Sequence, residues 1–177
     1  LVGMLDNLLV LTRADADRAV VQPTMCDLGA LVREIVELVG VLADEKQQEL
    51  AVDVPAGATV WADATLVRQA VLNVLDNAIK FTPVGGRVSI RVSFTSAEGV
   101  VEIRDSGPGI AEEHCERIFE RFYRVDSTRG TERGSGLGLP IARWAIGANR
   151  GRIELETEVG AGSTFRLVLP VRDWEKA

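Results

Sequence analysis

The stretch Leu72-Asn73-Val74-Leu75-Asp76-Asn77-Ala78-Ile79-Lys80-Phe81-Thr82 carries two patterns at helical spacing. Val67, Ala70, Val71, Val74, Leu75 and Ala78 mark an apolar stripe, and Gln69, Asn73, Asp76, Asn77 and Lys80 mark the opposite, polar one. Asp63 stands where an N-cap belongs. Thr82-Pro83-Val84-Gly85-Gly86 stops the pattern, because proline and paired glycines do not continue a helix. The reading is a helix over 64–81. Asn73 and Asn77, four apart, stack their amides on one face, and Lys80 lies one step further along it. Two amide oxygens and an ammonium in a row could hold a hydrated Mg²⁺ and a polyphosphate, since Mg²⁺ takes oxygen ligands and keeps several waters. Taken alone, the stripe is more simply a solvated helix face.

Working outward from this helix, a short strand at 24–26 leads to Asp27, a second N-cap. The helix behind it carries Leu28, Leu31, Val32, Ile35, Val36, Leu38, Val39 and Leu42 at helical spacing. Residues 49–54 and 59–61 read as strands joined by a Pro-Ala-Gly turn. Downstream, 87–94 and 100–104 read as paired strands. A loop-rich stretch runs from Asp105 to Gly136. A third helix spans 137–149, and two last strands, 152–156 and 163–169, meet at a Gly-Ala-Gly turn. Strands and helices mixed by short connections predict an α+β fold. It is a two-layer sandwich whose mixed sheet of about five strands is covered on one face by three helices, not a doubly wound parallel sheet. Residues 1–16 place Leu1, Met4, Leu8 and Leu11 on heptad positions, with Leu5 beside them and no N-cap ahead. They read as part of a longer helix, or as an ordinary helix docked on its own domain. The polar joint 17–23 follows as a linker, the main domain runs over 24–172, and 173–177 are a tail.

With 177 residues, 46% hydrophobic and 26% charged, the chain suits one ordinary globular domain. A net charge of −6 disfavours nucleic acid as the main partner. Cys26 and Cys115 lack metal-ligand spacing and read as reduced thiols, as in a cytoplasmic protein. The apolar start, near Leu1–Leu11, is too short and too polar to span a bilayer, so no direct membrane contact is expected of these residues.

Two further segments carry ligand-binding chemistry. Asp105-Ser106-Gly107-Pro108-Gly109-Ile110 follows an apolar strand. Its glycines let backbone approach a ligand, and a carboxylate there could accept a hydrogen bond from an exocyclic amine. A tight turn of Gly and Pro explains the segment equally well. Gly134-Ser135-Gly136-Leu137-Gly138-Leu139 opens the third helix, where free N–H groups and the helix dipole favour a phosphate; a hinge without ligand is the alternative. Neither the dinucleotide fingerprint nor a Gly-Lys-Ser/Thr phosphate loop is present.

Together, in this order and spacing, these motifs resemble the sensor histidine kinase family. It belongs to a superfamily that also holds type II topoisomerases, heat-shock chaperones and mismatch-repair ATPases. Residues 72–82 look like its N box, 105–110 its first glycine box, Phe119-Glu-Arg-Phe-Tyr-Arg124 its F box, 134–139 its second glycine box and Gly160-Ala-Gly-Ser-Thr-Phe165 its closing strand motif. The resemblance implies a Bergerat-type ATP-binding fold with ATP and Mg²⁺ as cofactors. Asn77 would coordinate Mg²⁺ with Asn73 assisting, Lys80 would meet phosphate, and Phe81 would line the pocket. Asp105 would bind the adenine amine, Gly107, Gly109 and Ile110 would shape that pocket, and Thr164 would lie near the base. Gly134, Ser135, Gly136, Leu137, Gly138 and Leu139 would cradle phosphate. Arg124 is a candidate phosphate contact, 120–133 a lid, and Phe119 and Phe122 would pin that lid.

It further implies that residues 1–16 end a dimerisation helix and that the whole protein is a homodimer. Its partners would be its own dimerisation/phosphoacceptor domain and, indirectly, a response regulator receiver domain. Location would be cytoplasmic, as the inner portion of a membrane-bound sensor. Hydrolysing members of the superfamily carry glutamate where Asn73 stands. An amide cannot take a proton from water, so Asn73 favours phosphotransfer over hydrolysis. A switch ATPase, an anti-sigma serine kinase and an empty binding module are the competing readings. His114, the only histidine, reads as a solvated residue of a short helix and not as the phosphorylated one. One departure is Asn149-Arg150-Gly151, where the family has His-Gly-Gly.

Overall fold

The computed structural model describes residues 21–125 and 135–171. The expected helix at 1–16, the linker up to residue 20, most of the expected lid (126–133), Gly134 and the tail lie outside the described residues. Seven strands and three α-helices follow one another as β1 (Thr24–Asp27), α1 (Leu28–Glu45), β2 (Glu49–Asp53), β3 (Thr59–Ala62), α2 (Ala64–Phe81), β4 (Arg87–Phe94), β5 (Glu98–Asp105), α3 (Gly138–Ala148), β6 (Arg152–Glu158) and β7 (Gly162–Pro170). Among the described residues between β5 and α3 are two 3-10 turns, Glu112–His114 and Arg117–Phe119.

The main sheet has the order β2-β4-β5-β7-β6; β2 joins β4 in parallel and every other pair is antiparallel. Strand alternation turns Val88, Ile90, Val92, Val101, Ile103, Phe165, Leu167 and Leu169 inward, where the helices bury them. The outer face is charged and tied across strands, with Arg166 bridging Glu102 and Glu156, and Arg91 meeting Asp53. The expected α+β sandwich is therefore present. The Pro-Ala-Gly turn does not join neighbouring strands: β3 leaves the main sheet and pairs antiparallel with β1. The turn residues look like a hairpin, but β2 finds its partner in β4, far along the chain.

Both N-caps form as the sequence dictates. Asp27 accepts from Ala30 N at 3.0 Å, and Asp63 accepts from Thr65 N and Leu66 N. α2 and α3 pack antiparallel. At one end, Asn149 is fully buried; its Oδ1 accepts from Asp63 N at 2.6 Å and its Nδ2 donates to Ala145 O at 2.8 Å. That bond ties the end of α3 to the start of α2, and so sets the start of α3 against the polar stripe of α2. The departure at 149 is thus a packing joint. Arg150 beside it adopts φ +54, a conformation that glycine takes without penalty.

Candidate functional site

α2 lies with its apolar stripe on the sheet and its polar stripe toward α3. A Cβ added at Gly138, the first residue of α3, would stand 3.7 Å from Asn73 Cβ and 3.7 Å from Asn77 Nδ2. The helix start therefore faces both amides. Leu137, at the N-cap position, supplies no side-chain cap, so the first N–H groups of α3 have no side-chain acceptor there. Asn73 accepts from Gln69 at 3.2 Å, yet its own Nδ2 is buried without a partner. A buried amide N–H without an acceptor and an uncapped helix start, side by side, suit an anionic ligand. The amide oxygens suit a hard cation held chiefly by phosphate and water. Lys80 and Phe81 line the same cavity, with Lys80 Nζ 5.1 Å from the Phe81 ring centre.

The cavity measures about 580 Å³. Across it stands Asp105, at the last position of β5 and only 8% exposed. Strand alternation puts it on the inner face with Val101 and Ile103. Gly107 N donates to its Oδ1 at 2.8 Å. Burial pushes its carboxyl above the usual carboxylate range, against the pull of the Gly107 and Ser163 N–H groups. A ligand amine would supply a further donor to this carboxylate.

The loop after Asp105 is braced by backbone. Gly109 has φ +69, and a Cβ there would come within 2.0 Å of Glu158 O; Gly162 has φ +103 and stands equally close to Asp105 O. Thr157 completes the brace. Its Oγ1 accepts from Ile110 N at 2.9 Å and lies 3.0 Å from Ser163 Oγ. Thr157 does not stand out in the sequence, where it holds an ordinary strand position; Ser163 lies within the closing strand motif, Gly160–Phe165.

Most of the anticipated site residues converge. Asn73, Asn77, Lys80, Phe81, Asp105, Gly109, Ile110 and Arg124 line the cavity, as do Ser135, Gly136, Gly138 and Leu139. Thr164, Gly107, Leu137 and Phe122 lie outside its lining. Thr164 is replaced by Ser163: Phe165 must point inward, so alternation turns Thr164 outward, opposite Arg104. Gly107 supports Asp105 rather than lining the wall. Leu137 is 1% exposed and packs against Ile141. Phe122 is 64% exposed at φ +64, and its N–H donates to Gly136 O at 2.9 Å; most of the lid it was expected to pin lies outside the described residues. Phe119 does pack on the core, beneath the Arg143 guanidinium. His114, in the first 3-10 turn, is partly exposed and lines the cavity, with Nδ1 2.7 Å from the Tyr123 hydroxyl.

Residues 62–173 match the family model of histidine kinase-, DNA gyrase B- and HSP90-like ATPases. The chain belongs to this ATPase family. Its fold is similar to that of full-length ShkA in complex with AMPPNP (TM-score 0.84, 30% identity, covering 97% of this chain and 36% of that one). It is similar also to the mycobacterial sensor histidine kinase MprB (TM-score 0.70, 30% identity, 86% of this chain and 99% of that one). In sequence, it is 41% identical over 153 residues to the adaptive-response sensory kinase SasA of Crocosphaera subtropica, covering 85% of this chain and 40% of that protein. It is 35% identical over 171 residues to the sensor-like histidine kinase SenX3 of Mycolicibacterium smegmatis, covering 96% and 44%. The ATPase domain here is thus of the nucleotide-binding kind found in sensor histidine kinases. The chain spans about two fifths of the length of these curated relatives. Among the described residues, no helix is long and apolar enough to cross a membrane.

Proposed function

We propose that this domain binds ATP with Mg²⁺ and transfers the γ-phosphate to a histidine on its own dimerisation domain, from which a response regulator receiver domain would take it. The observation that carries this reading is the convergence on one cavity of Asn73, Asn77, the uncapped start of α3 and the buried Asp105. Asp105 would accept from the adenine amine, with Ser163 beside it. The first N–H groups of α3, Lys80 and Arg124 would hold the phosphates. Asn77, with Asn73, would hold Mg²⁺, which would supply neutralisation of phosphate charge. Asn73 offers an amide where a hydrolytic enzyme needs a base, and imidazole needs none because its nitrogen already carries a lone pair. The whole protein would be a cytoplasmic-facing homodimer, with residues 1–16 ending its dimerisation helix.

The test is to mix the chain with labelled ATP, Mg²⁺ and a separate dimerisation domain bearing the acceptor histidine. Label should reach that histidine, and ATP should turn over slowly without the acceptor. Brisk turnover by the chain alone would instead make it a switch ATPase.

A further inference from the structure

His114 and Tyr123 flank the second 3-10 turn, Arg117–Phe119. His114 closes the first 3-10 turn after the Asp105–Ile110 loop; Tyr123 follows the second turn and begins the run toward residue 126. Both line the cavity. His114 Nδ1 and the Tyr123 hydroxyl are 2.7 Å apart, and the Arg117 guanidinium lies 4.2 Å above the Tyr123 ring. The Glu113 carboxylate lies 3.6 Å from His114 Nε2, and the Tyr123 hydroxyl can donate to or accept from Nδ1 according to the ring's tautomer.

Tyr123 is also tied to the opposite wall. Gly136 packs its Cα against the Phe122 and Tyr123 backbone so closely that a Cβ would come 2.9 Å from Tyr123 O, and Phe122 N donates to Gly136 O. Tyr123 therefore connects the loop behind Asp105 to the glycine turn ahead of α3. Arg124 follows Tyr123 in the chain and lines the same cavity.

We infer that His114 and Tyr123 are a positioning pair: their hydrogen bond sets where Arg124 and Gly136 stand around a nucleotide, and so sets nucleotide affinity. This rests on the ATP-binding reading above. The pair holds the wall in its binding arrangement before the ligand arrives, which lowers the ordering required on binding.

Calorimetric titration of the chain with ATP and Mg²⁺ tests it. Tyr123→Phe removes only the hydroxyl and should weaken binding about three- to tenfold, the range of one neutral hydrogen bond. His114→Leu should weaken it equally, and the double variant no further, because one bond is lost in all three. His114→Asn, whose amide can occupy the Nδ1 position, should recover most of the affinity. Thermal melts report whether each variant is folded at the titration temperature, and Tyr123→Phe carries the test should His114→Leu fail to fold. Unchanged affinity in Tyr123→Phe would overturn the inference, as would additive losses in the double variant or no recovery in His114→Asn. Failure of the unmodified chain to bind ATP would instead overturn the nucleotide reading itself.

Discussion

The two ends of the cavity are built on opposite principles. Around Asp105, every neighbour is braced: Gly109 and Gly162 sit against backbone oxygens, and Thr157 ties the loop to β6 and β7. Around Asn73 and Asn77, groups wait unpartnered: an amide nitrogen is buried without an acceptor, and the start of α3 has no side-chain cap. The braced end suits shape selection of a flat base held by one carboxylate. The unsatisfied end suits a ligand that carries its own charge and oxygen atoms. A nucleotide triphosphate has one part of each kind.

Substitutions can break that contrast. The largest effect is expected at the braced end. Gly109→Ala forces a methyl onto Glu158 O and a left-handed backbone onto alanine, which should destabilise the fold by about 3 kcal/mol. Thermal unfolding should then start roughly 10 °C lower. A melt within a degree or two of the unmodified chain would show that the loop is not braced.

Next in size is Asp105→Asn, which separates binding from stability. Loss of the charged acceptor should weaken ATP binding about 10- to 100-fold, the range of a hydrogen bond to a charged group. The free domain should melt higher at neutral pH. The sign follows from the raised carboxyl: between its unfolded and folded pKa values, the folded chain binds more protons than the unfolded one. Stability therefore falls as pH rises through that window, and ionised Asp105 is unfavourable above it. At a pH low enough to protonate both states, the gain from asparagine should vanish. Melting curves against pH check both halves.

Asn149→Ala acts outside the cavity, at the joint that aligns its unsatisfied end. It leaves Asp63 N–H without its acceptor and should destabilise the domain by about 2 kcal/mol in chemical denaturation. The smallest effect is expected from Gly138→Ala. The added methyl finds only 3.7 Å contacts, so melting should stay put or rise by at most about 1 kcal/mol from better helix propensity. ATP affinity should nevertheless drop a few-fold, because the methyl enters the space between α3 and the two amides. A drop in melting temperature without change in affinity would reverse the assignment of the two ends.

The sequence reveals these ends unequally. Helix α2 and its caps are legible residue by residue, since Asp63, the two stripes and Thr82-Pro83 each act locally. The glycine segments are legible as types, because only close approach or positive φ calls for glycine at such density. What stays hidden depends on the fold. Thr157 and Ser163 matter through cross-strand neighbours, and Asn149 matters because a residue 86 positions away needs an acceptor. His114 has no visible partner in the sequence; the fold brings Tyr123 to it. Thr164 could have been corrected from sequence alone: with Phe165 pointing inward, period-two alternation already excludes it from the inner face.

The central claim is that both ends grip one ligand. Titration with ATP, with and without Mg²⁺, tests it when run on the unmodified chain, on Asn77→Ala and on Asp105→Asn. The account predicts Mg²⁺-dependent binding that falls at least about tenfold in each variant. Binding that survives Asn77→Ala and ignores Mg²⁺, while Asp105→Asn removes it, would contradict a shared site.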